Sequence, residues 1–164
     1  MSGSDRPIVV GGEPPRLVIR FLNPLMRLLL RSPFHRLLSK QFMLLSVTGR
    51  KSGRTYTVPV VRHQSGGTIV VYAAGSWRHN LRGGAPVSVV LDGVERAGYA
   101  ELEEDPERVA RAYKTRLDEL GVGEARMLGL KVTGGRSPTV EEIQPAVAER
   151  AIATIRLTDS PASA

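Results

Sequence analysis

Three cationic side chains and two glycines fall within six residues, in the stretch Gly49-Arg50-Lys51-Ser52-Gly53-Arg54. Glycine lets a backbone approach a ligand closely, and successive N–H groups in such a loop can surround an anion. Lysine supplies a point charge, and arginine a fork of donors. The loop therefore predicts a phosphate or carboxylate site, the alternative being a solvated hairpin loop. It is not a P-loop, because Arg50 stands where that motif has the glycine before Lys-Ser.

A second candidate site surrounds the only tryptophan, Trp77, directly after a strand-like run. Gly75 and Ser76 would let a flat ligand lie against the backbone, and Ser76 could cap a short helix whose N–H groups face that ligand. Asn80 offers amide donors and an acceptor. The alternative interpretation makes Trp77 an anchor of the core and Asn80 a turn residue.

Four side chains are candidates for proton transfer: His79, Tyr56, Tyr72 and Tyr113. None has a partner at a spacing diagnostic of catalysis, and no nucleophile elbow supports Ser-His-Asp chemistry. The catalytic residues therefore remain open, with His79 and Tyr56 as the candidates kept.

Composition excludes several classes of protein. The chain has 164 residues, of which 41% are hydrophobic and 24% charged, so it is globular. With 0 Cys it has no disulfide, iron–sulfur cluster, thiolate zinc site or cysteine nucleophile, which fits a cytoplasmic protein. The 3 His lie far apart without ligand spacing, so no metal site is expected.

The net charge of +7 is unevenly distributed. Residues 1–82 hold 13 Lys and Arg against 2 acids, a net charge of +11, whereas residues 83–164 hold 10 against 14, a net charge of −4. A basic half predicts an anionic partner such as a phosphorylated cofactor, a membrane surface or nucleic acid. Nucleic acid is disfavoured, because aromatic residues that could stack on bases make up only 5% of the chain.

Much of this positive charge lies in a basic, leucine-rich segment, 16–40, which contains no acid. Its Asn-Pro and Ser-Pro pairs predict short helices near 16–22, 24–31 and 33–40. These helices would either lie on an anionic membrane surface or cover the sheet. Residues 1–14 and 159–164 are predicted to be flexible tails, and no apolar run approaches the length of a membrane span.

Short β-branched runs predict strands in the rest of the chain. The predicted strands are 42–47, 57–61, 68–74, 87–91, 94–102 and 151–157. Asp92-Gly93 predicts a hairpin turn, and Asp105-Pro106 predicts the start of a helix that ends at Gly121. Shorter helices are expected at 123–129 and 139–149. The pattern indicates one α+β domain over 15–158, a small, mostly antiparallel β-barrel with a helix before the last strand.

Several of these motifs together resemble the deazaflavin-dependent nitroreductase and quinone-reductase family of split β-barrel proteins. The resemblance covers about residues 20–118 and rests on four runs: Leu44–Gly53, Val58-Pro59-Val60, Trp77–Leu81 and Ala85-Pro86-Val87. It implies a split β-barrel related to the flavin reductases, with basic N-terminal helices. It also implies coenzyme F420 as the cofactor and, from relatives, a homodimer.

The resemblance also implies which residues hold the cofactor. The residues that would hold its phosphate and oligoglutamate tail are Gly49, Arg50, Lys51, Ser52, Gly53 and Arg54. The residues that would line the deazaflavin ring are Val58, Pro59 and Val60 on one side and Ala74, Gly75, Ser76, Trp77, Asn80 and Leu81 on the other.

The sequence departs from the family pattern at three places. Tyr56 stands where relatives often carry an arginine. Only Gly75-Ser76 separates the preceding strand from Trp77, where relatives usually have several more residues. No tyrosine follows Tyr113, although some relatives place substrate-binding tyrosines in this part of the chain. The expected activity is hydride transfer from reduced deazaflavin to a quinone, nitro compound or activated alkene. The alternatives are an FMN enzyme, a non-catalytic carrier of a cofactor or fatty acid, and a peripheral membrane protein acting through 16–40.

Overall fold

The structure is a computed structural model that describes residues 8–11, 28 and 41–158. The chain divides into two compact units: a sheet unit (Pro14–Leu102 and Ile152–Ala164) and a helical unit (Met1–Glu13 and Glu103–Ala151). Among the described residues, no helix combines the length and the hydropathy that a membrane span requires.

The described residues form nine strands, two α-helices and three 3₁₀ segments. The strands are β1 (Val9–Gly11), β2 (Phe42–Thr48), β3 (Thr55–Val61), β4 (His63–Ser65), β5 (Thr68–Ala73), β6 (Ala85–Leu91), β7 (Val94–Glu103), β8 (Leu130–Val132) and β9 (Ala151–Leu157). The helices are α1 (Pro106–Leu120) and α2 (Val140–Ile143), and the 3₁₀ segments are Ser76–Leu81, Val122–Leu128 and Gln144–Val147.

The sheet unit contains a seven-stranded sheet in the order β3-β2-β6-β7-β9-β5-β4. Its two edge strands are consecutive in the chain, because β3 ends at Val61 and β4 begins at His63. One intervening residue, Arg62, spans only a few ångströms, so the sheet must curl until its edges meet there. The sheet is therefore a barrel, and the predicted α+β split-barrel class with mostly antiparallel strands is confirmed.

The core of the sheet unit lies on the inward face of this barrel. Met43, Leu45 and Val47 alternate along β2 and are at most 1% exposed. They pack with Val89 of β6 and Ile155 of β9, among others. The period of two places these three side chains on one face of β2, while Leu44, which is also fully buried, lies on the other face. A strand buried on both faces has the short apolar run by which the sequence predicted β2.

The turn between β6 and β7 adopts the predicted hairpin geometry. Asp92 has φ 51° and Gly93 has φ 80°, both in the left-handed region. Leu91 pairs with Val94 across the turn. Two consecutive left-handed residues are the requirement of a two-residue hairpin turn, which explains the Asp-Gly pair.

Helix α1 of the helical unit begins and ends as its sequence predicts. The Asp105 side chain accepts a hydrogen bond from the Arg108 N–H at 2.9 Å, and Pro106 opens the first turn. Tyr113 and Leu117 on one face are fully buried. Gly121 ends the helix with φ 88°.

Three short strands lie outside the predicted elements. The pattern predicts a flexible tail over 1–14, but Val9–Gly11 forms β1, which pairs antiparallel with β8 (Leu130–Val132). The third is β4 (His63–Ser65). Each has three residues and depends on its partner strand, so it leaves no alternating pattern of its own.

The helix expected over 139–149 divides into α2 and the 3₁₀ segment Gln144–Val147. Pro145 lies at the junction and has no N–H to continue the α-helical bonds. The predicted basic helices of 16–40 and the remaining parts of both tails lie outside the described residues, apart from residue 28.

Candidate functional site

The residues Gly49–Arg54, which we call the cationic loop, connect β2 to β3 in a tight backbone arrangement. Thr48 pairs with Thr55, and directly inside this pair the Gly49 N–H donates to the Arg54 carbonyl at 2.8 Å. The Gly53 N–H then donates to the Gly49 carbonyl, also at 2.8 Å. Gly53 has φ 66°, a conformation that favours glycine. The loop is therefore an ordered turn of the barrel.

Two hydroxyl side chains close over the cationic loop. Ser52 Oγ accepts from the Arg54 N–H at 3.2 Å and lies 3.1 Å from the Tyr56 hydroxyl. A Cβ at position 49 would lie 2.6 Å from Ser52 Oγ and 2.7 Å from Tyr56 Cε2. Gly49 therefore provides the space that these two side chains occupy.

The second wall is the 3₁₀ segment Ser76–Leu81, which follows β5. Gly75, with φ 91°, starts the segment without any side-chain capping bond, so the expected cap by Ser76 does not form. At its other end Leu81 is fully buried, and Trp77 packs against the core while remaining partly exposed. The segment is thus anchored by apolar contacts, and its polar residues from Arg78 to Asn80 are half-buried.

Two hydrogen bonds attach the cationic loop to this segment and to Arg82 directly after it, and a third fixes the bridging amide within the segment. The Arg50 N–H donates to Asn80 Oδ1 at 3.1 Å, and Asn80 Nδ2 donates to the Trp77 carbonyl at 3.0 Å. Arg50 Nη2 also donates to the Arg82 carbonyl. The two predicted sites, about thirty residues apart in sequence, therefore form one site.

An open cleft of about 610 Å³ lies between the cationic loop and the segment. Among the described residues, its walls carry three cations and the rings of Tyr56 and Trp77, and no carboxylate. The lining residues are Gly49, Arg50, Lys51, Ser52, Tyr56, Ser76, Trp77, His79, Asn80 and Arg82. Positive charge without a compensating acid, beside exposed aromatic surface, suits an anionic ligand with a flat apolar part.

Lys51 and Arg50 differ in how they are held. The Arg50 guanidinium is already bonded to the Arg82 carbonyl. Lys51, by contrast, makes no hydrogen bond or ion pair within the part of the chain that the structure describes. Of these two adjacent cations, Lys51 is the one whose charge is directly available to a ligand.

Not every residue implied by the resemblance lines the cleft. Val58 and Val60 face the core from β3, and Pro59 pairs with Leu44 on that strand's other face. Leu81 is buried in the core. The other residues outside the lining are Gly53, Arg54, Ala74 and Gly75.

Two of the four candidate proton donors line the cleft and the other two do not. His79 and Tyr56 both line the cleft. Tyr72 instead packs its ring edge against His63, with centroids 5.0 Å apart, and Tyr113 is fully buried in the helical unit. Arg82 also lines the cleft; it lies in the sequence stretch of the second candidate site, which gave it no role.

Comparison with known proteins gives one family match and several distant structural likenesses. A chain described as a domain-swapped dimer has 18% identity and a TM-score of 0.45, and the match covers 81% of this chain and 99% of that chain. An F420 reductase has 14% identity and a TM-score of 0.40, with 77% and 94% covered. The FAD and heme binding protein of Mycobacterium smegmatis has 18% identity and a TM-score of 0.42, with 82% and 75% covered. No curated protein matches the chain.

The family model described as F420H2-dependent quinone reductase matches residues 31–121. This region contains both the cationic loop and the 3₁₀ segment Ser76–Leu81. Because it covers more than half of the 164 residues, the chain belongs to the F420H2-dependent quinone reductase family.

Proposed function

We propose that the cleft holds coenzyme F420 and that the chain transfers a hydride to an electron-poor organic acceptor such as a quinone, nitro compound or activated alkene. Family membership makes the chain an F420-dependent oxidoreductase. The observation that carries the proposed site is the meeting of the cationic loop with the 3₁₀ segment Ser76–Leu81 around a cleft whose described lining residues include no acid.

The residues present suit such a cofactor in size and chemistry. The cleft volume of about 610 Å³ lies within the range of roughly 300–1,000 Å³ typical of small-molecule sites. Lys51, Arg50 and Arg82 supply positive charge for a phosphate or carboxylate tail, and Trp77 supplies a flat apolar surface for a ring. Gly49 lines the cleft, and its lack of a side chain leaves room for Ser52 and Tyr56.

When bound, the reduced deazaflavin supplies the hydride, so this chain's residues need only bind, orient and exclude water. Lys51 holds the anionic tail, because its ammonium group has no partner among the described residues. Trp77, anchored in the core, fixes the plane beside which the ring lies. Ser76 and Gly75 leave the backbone open next to that plane, since neither carries a bulky side chain.

The proton that completes the reduction of a quinone has two candidate sources in the cleft. His79 and Tyr56 both reach its surface. The Tyr56 hydroxyl also lies 3.1 Å from Ser52 Oγ, so the two hydroxyls form a hydrogen bond in which either can be the donor. We place the donor among these two residues rather than at Tyr72 or Tyr113, which do not line the cleft.

The proposed function is tested by titrating the purified protein with F420 and, separately, with FMN while following ligand fluorescence. The expected result is saturable F420 binding at low micromolar concentration or tighter, with FMN much weaker. Acceptors are then screened with F420H2 as reductant. Tight FMN binding with weak F420 binding would contradict the proposal, and so would F420 binding without turnover of any quinone, nitro compound or activated alkene.

Two further proposals concern partners. We propose contact of the basic segment 16–40 with anionic membrane surfaces, which would give access to lipid-soluble quinones; most of this segment lies outside the described residues. Co-sedimentation with anionic vesicles that is lost at high salt is expected, and its absence at low salt would contradict the proposal. A homodimer is also proposed, and its test is the molar mass in solution.

A further inference from the structure

We infer that Asn80 is a positioning residue, which fixes the cationic loop so that Lys51 faces the cleft. This inference rests on the proposed function for its effect on cofactor binding. The observation behind it is that Asn80 bonds to the protein at both ends of its amide, to the Arg50 N–H and to the Trp77 carbonyl.

The two hydrogen bonds of the Asn80 amide have partners in different parts of the cleft wall. Asn80 Oδ1 accepts from Arg50 at 3.1 Å, and Nδ2 donates to Trp77 at 3.0 Å. The first bond reaches across to the cationic loop, and the second fixes the amide's orientation within its own segment. The amide therefore acts as a bridge between the two walls of the cleft.

Asn80 is attached to the cationic loop at the backbone N–H of Arg50. The loop's internal bonds run between Gly49, Gly53 and Arg54, so they do not involve the N–H of Arg50. That N–H belongs to the residue directly before Lys51. Asn80 therefore holds the backbone immediately next to the available lysine, and the bond from Arg50 Nη2 to the Arg82 carbonyl supports the same attachment.

A fixed loop backbone affects how strongly Lys51 can bind an anionic ligand. Lysine has a long flexible stem, so its contribution to binding depends on how far its backbone is fixed before the ligand arrives. Arg50 is exposed, Asn80 is half-buried, and neither side chain belongs to the core cluster of the sheet unit. Loss of the bridge should therefore weaken binding of an anionic ligand and leave the barrel folded.

The first experiment is a double-mutant cycle read by F420 fluorescence titration of the full chain. Asn80→Ala is expected to raise the dissociation constant by roughly three- to tenfold, the effect of losing the one hydrogen bond that reaches the cationic loop. If Asn80 acts through Lys51, adding Asn80→Ala to Lys51→Ala should change the constant by less than about twofold. If the double variant raises the F420 dissociation constant by the product of the two single-variant increases, the inference is overturned.

The second experiment needs no cofactor. Amide hydrogen exchange followed by NMR is expected to accelerate by about tenfold or more at Arg50 in Asn80→Ala, while core amides of β2 and β6 stay protected. Arg78→Ala is the control, because it removes a side-chain bond to the Gly75 carbonyl within the same segment and none to the loop. It should leave the Arg50 exchange rate unchanged.

These two experiments distinguish failure of the inference from failure of the proposed function. If the wild-type protein binds no F420, the proposed function fails, whereas exchange at Arg50 still decides whether Asn80 positions the loop. An Arg50 amide that exchanges equally fast in wild type and Asn80→Ala would overturn the inference whatever the cofactor result.

Discussion

Arg50 donates a hydrogen bond from its guanidinium to the backbone carbonyl of Arg82, so one basic residue of the cleft holds the backbone of another. The bond joins the cationic loop to the residue directly after the 3₁₀ segment Ser76–Leu81, 32 residues later in the chain. Together with the bond from the Arg50 N–H to Asn80, it makes Arg50 a structural element of the cleft as well as a source of charge. The adjacent Lys51 makes no such bond to a described residue.

The close packing around Gly49 predicts a local effect of Gly49→Ala. The new methyl group would overlap Ser52 Oγ and Tyr56 Cε2, and both side chains are exposed and can move. We expect weaker F420 binding with little change in the urea midpoint of unfolding. Gly123→Ala is the matched control, because a Cβ there meets nothing within 4 Å. Unchanged F420 affinity in Gly49→Ala would contradict the expectation that the positions of the Ser52 and Tyr56 side chains affect binding.

The left-handed conformation of Gly53 predicts a different outcome. Its φ is 66°, and a Cβ there would meet nothing within 4 Å, so any cost comes from the backbone alone. Gly53→Ala should therefore lower the free energy of unfolding by about 1–2 kcal/mol, and Gly53→Asn by less, since asparagine tolerates this conformation. Urea denaturation measures both. Equal destabilisation by Ala and Asn would contradict the backbone explanation.

Acid sensitivity of the helical unit is expected from Glu142. Hydrogen bonds, first from the Arg136 side chain and then from the Thr139 backbone, lower the pKa of the Glu142 carboxyl from 4.5 to about 2. A lowered pKa in the folded state stabilises the protein above pH 4.5, and this contribution is lost as the pH falls towards 2.

The corresponding test compares thermal unfolding of wild type and Glu142→Gln across pH 2 to pH 7, the acid end being set by that pKa of about 2. The variant should be less stable near neutrality and should approach the wild type at the acid end. Glu124→Gln, an exposed glutamate substitution elsewhere in the helical unit, should leave the wild-type pH profile unchanged. A constant difference between wild type and Glu142→Gln at every pH would contradict the assignment.

Proton donation from the cleft predicts a separable kinetic effect. A positioned acid typically contributes about 10²–10⁴-fold to a rate. We therefore expect either His79→Gln or Tyr56→Phe to lower kcat for quinone reduction by about a hundredfold while changing the F420 dissociation constant little. Tyr72→Phe is the control, because Tyr72 does not line the cleft. If neither cleft substitution lowers kcat, the proton comes from solvent.

Much of the fold could be predicted because its main signals are local. Strand β9 and the Asp92-Gly93 hairpin follow from a short β-branched run and from turn chemistry, and α1 follows from its Asp-Pro start. Strands β1 and β8 could not be predicted, because each has three residues and forms only where the other lies. Proline at position 145, read as part of one helix, instead divides it.

The candidate site was predictable in its two parts but not in their connection. Clustered glycines and cations indicated the loop, and the lone tryptophan indicated the segment. The bond between Arg50 and Asn80 joins residues 30 positions apart, and no local pattern reports such a contact. For the same reason, the sequence could not show that Val58 and Leu81 contribute to the core and lie outside the lining of the cleft.

The central claim is that Lys51 binds the anionic part of F420 in the cleft. The most direct measurement compares F420 dissociation constants of Lys51→Ala and Arg54→Ala, which remove one positive charge each from the same loop. Lys51 lines the cleft and Arg54 does not. A charge-assisted contact is worth about 1.5–3 kcal/mol, so Lys51→Ala should weaken binding by about tenfold or more, and Arg54→Ala by less than about threefold. Equal effects of the two substitutions, or an unchanged constant in Lys51→Ala, would contradict the claim.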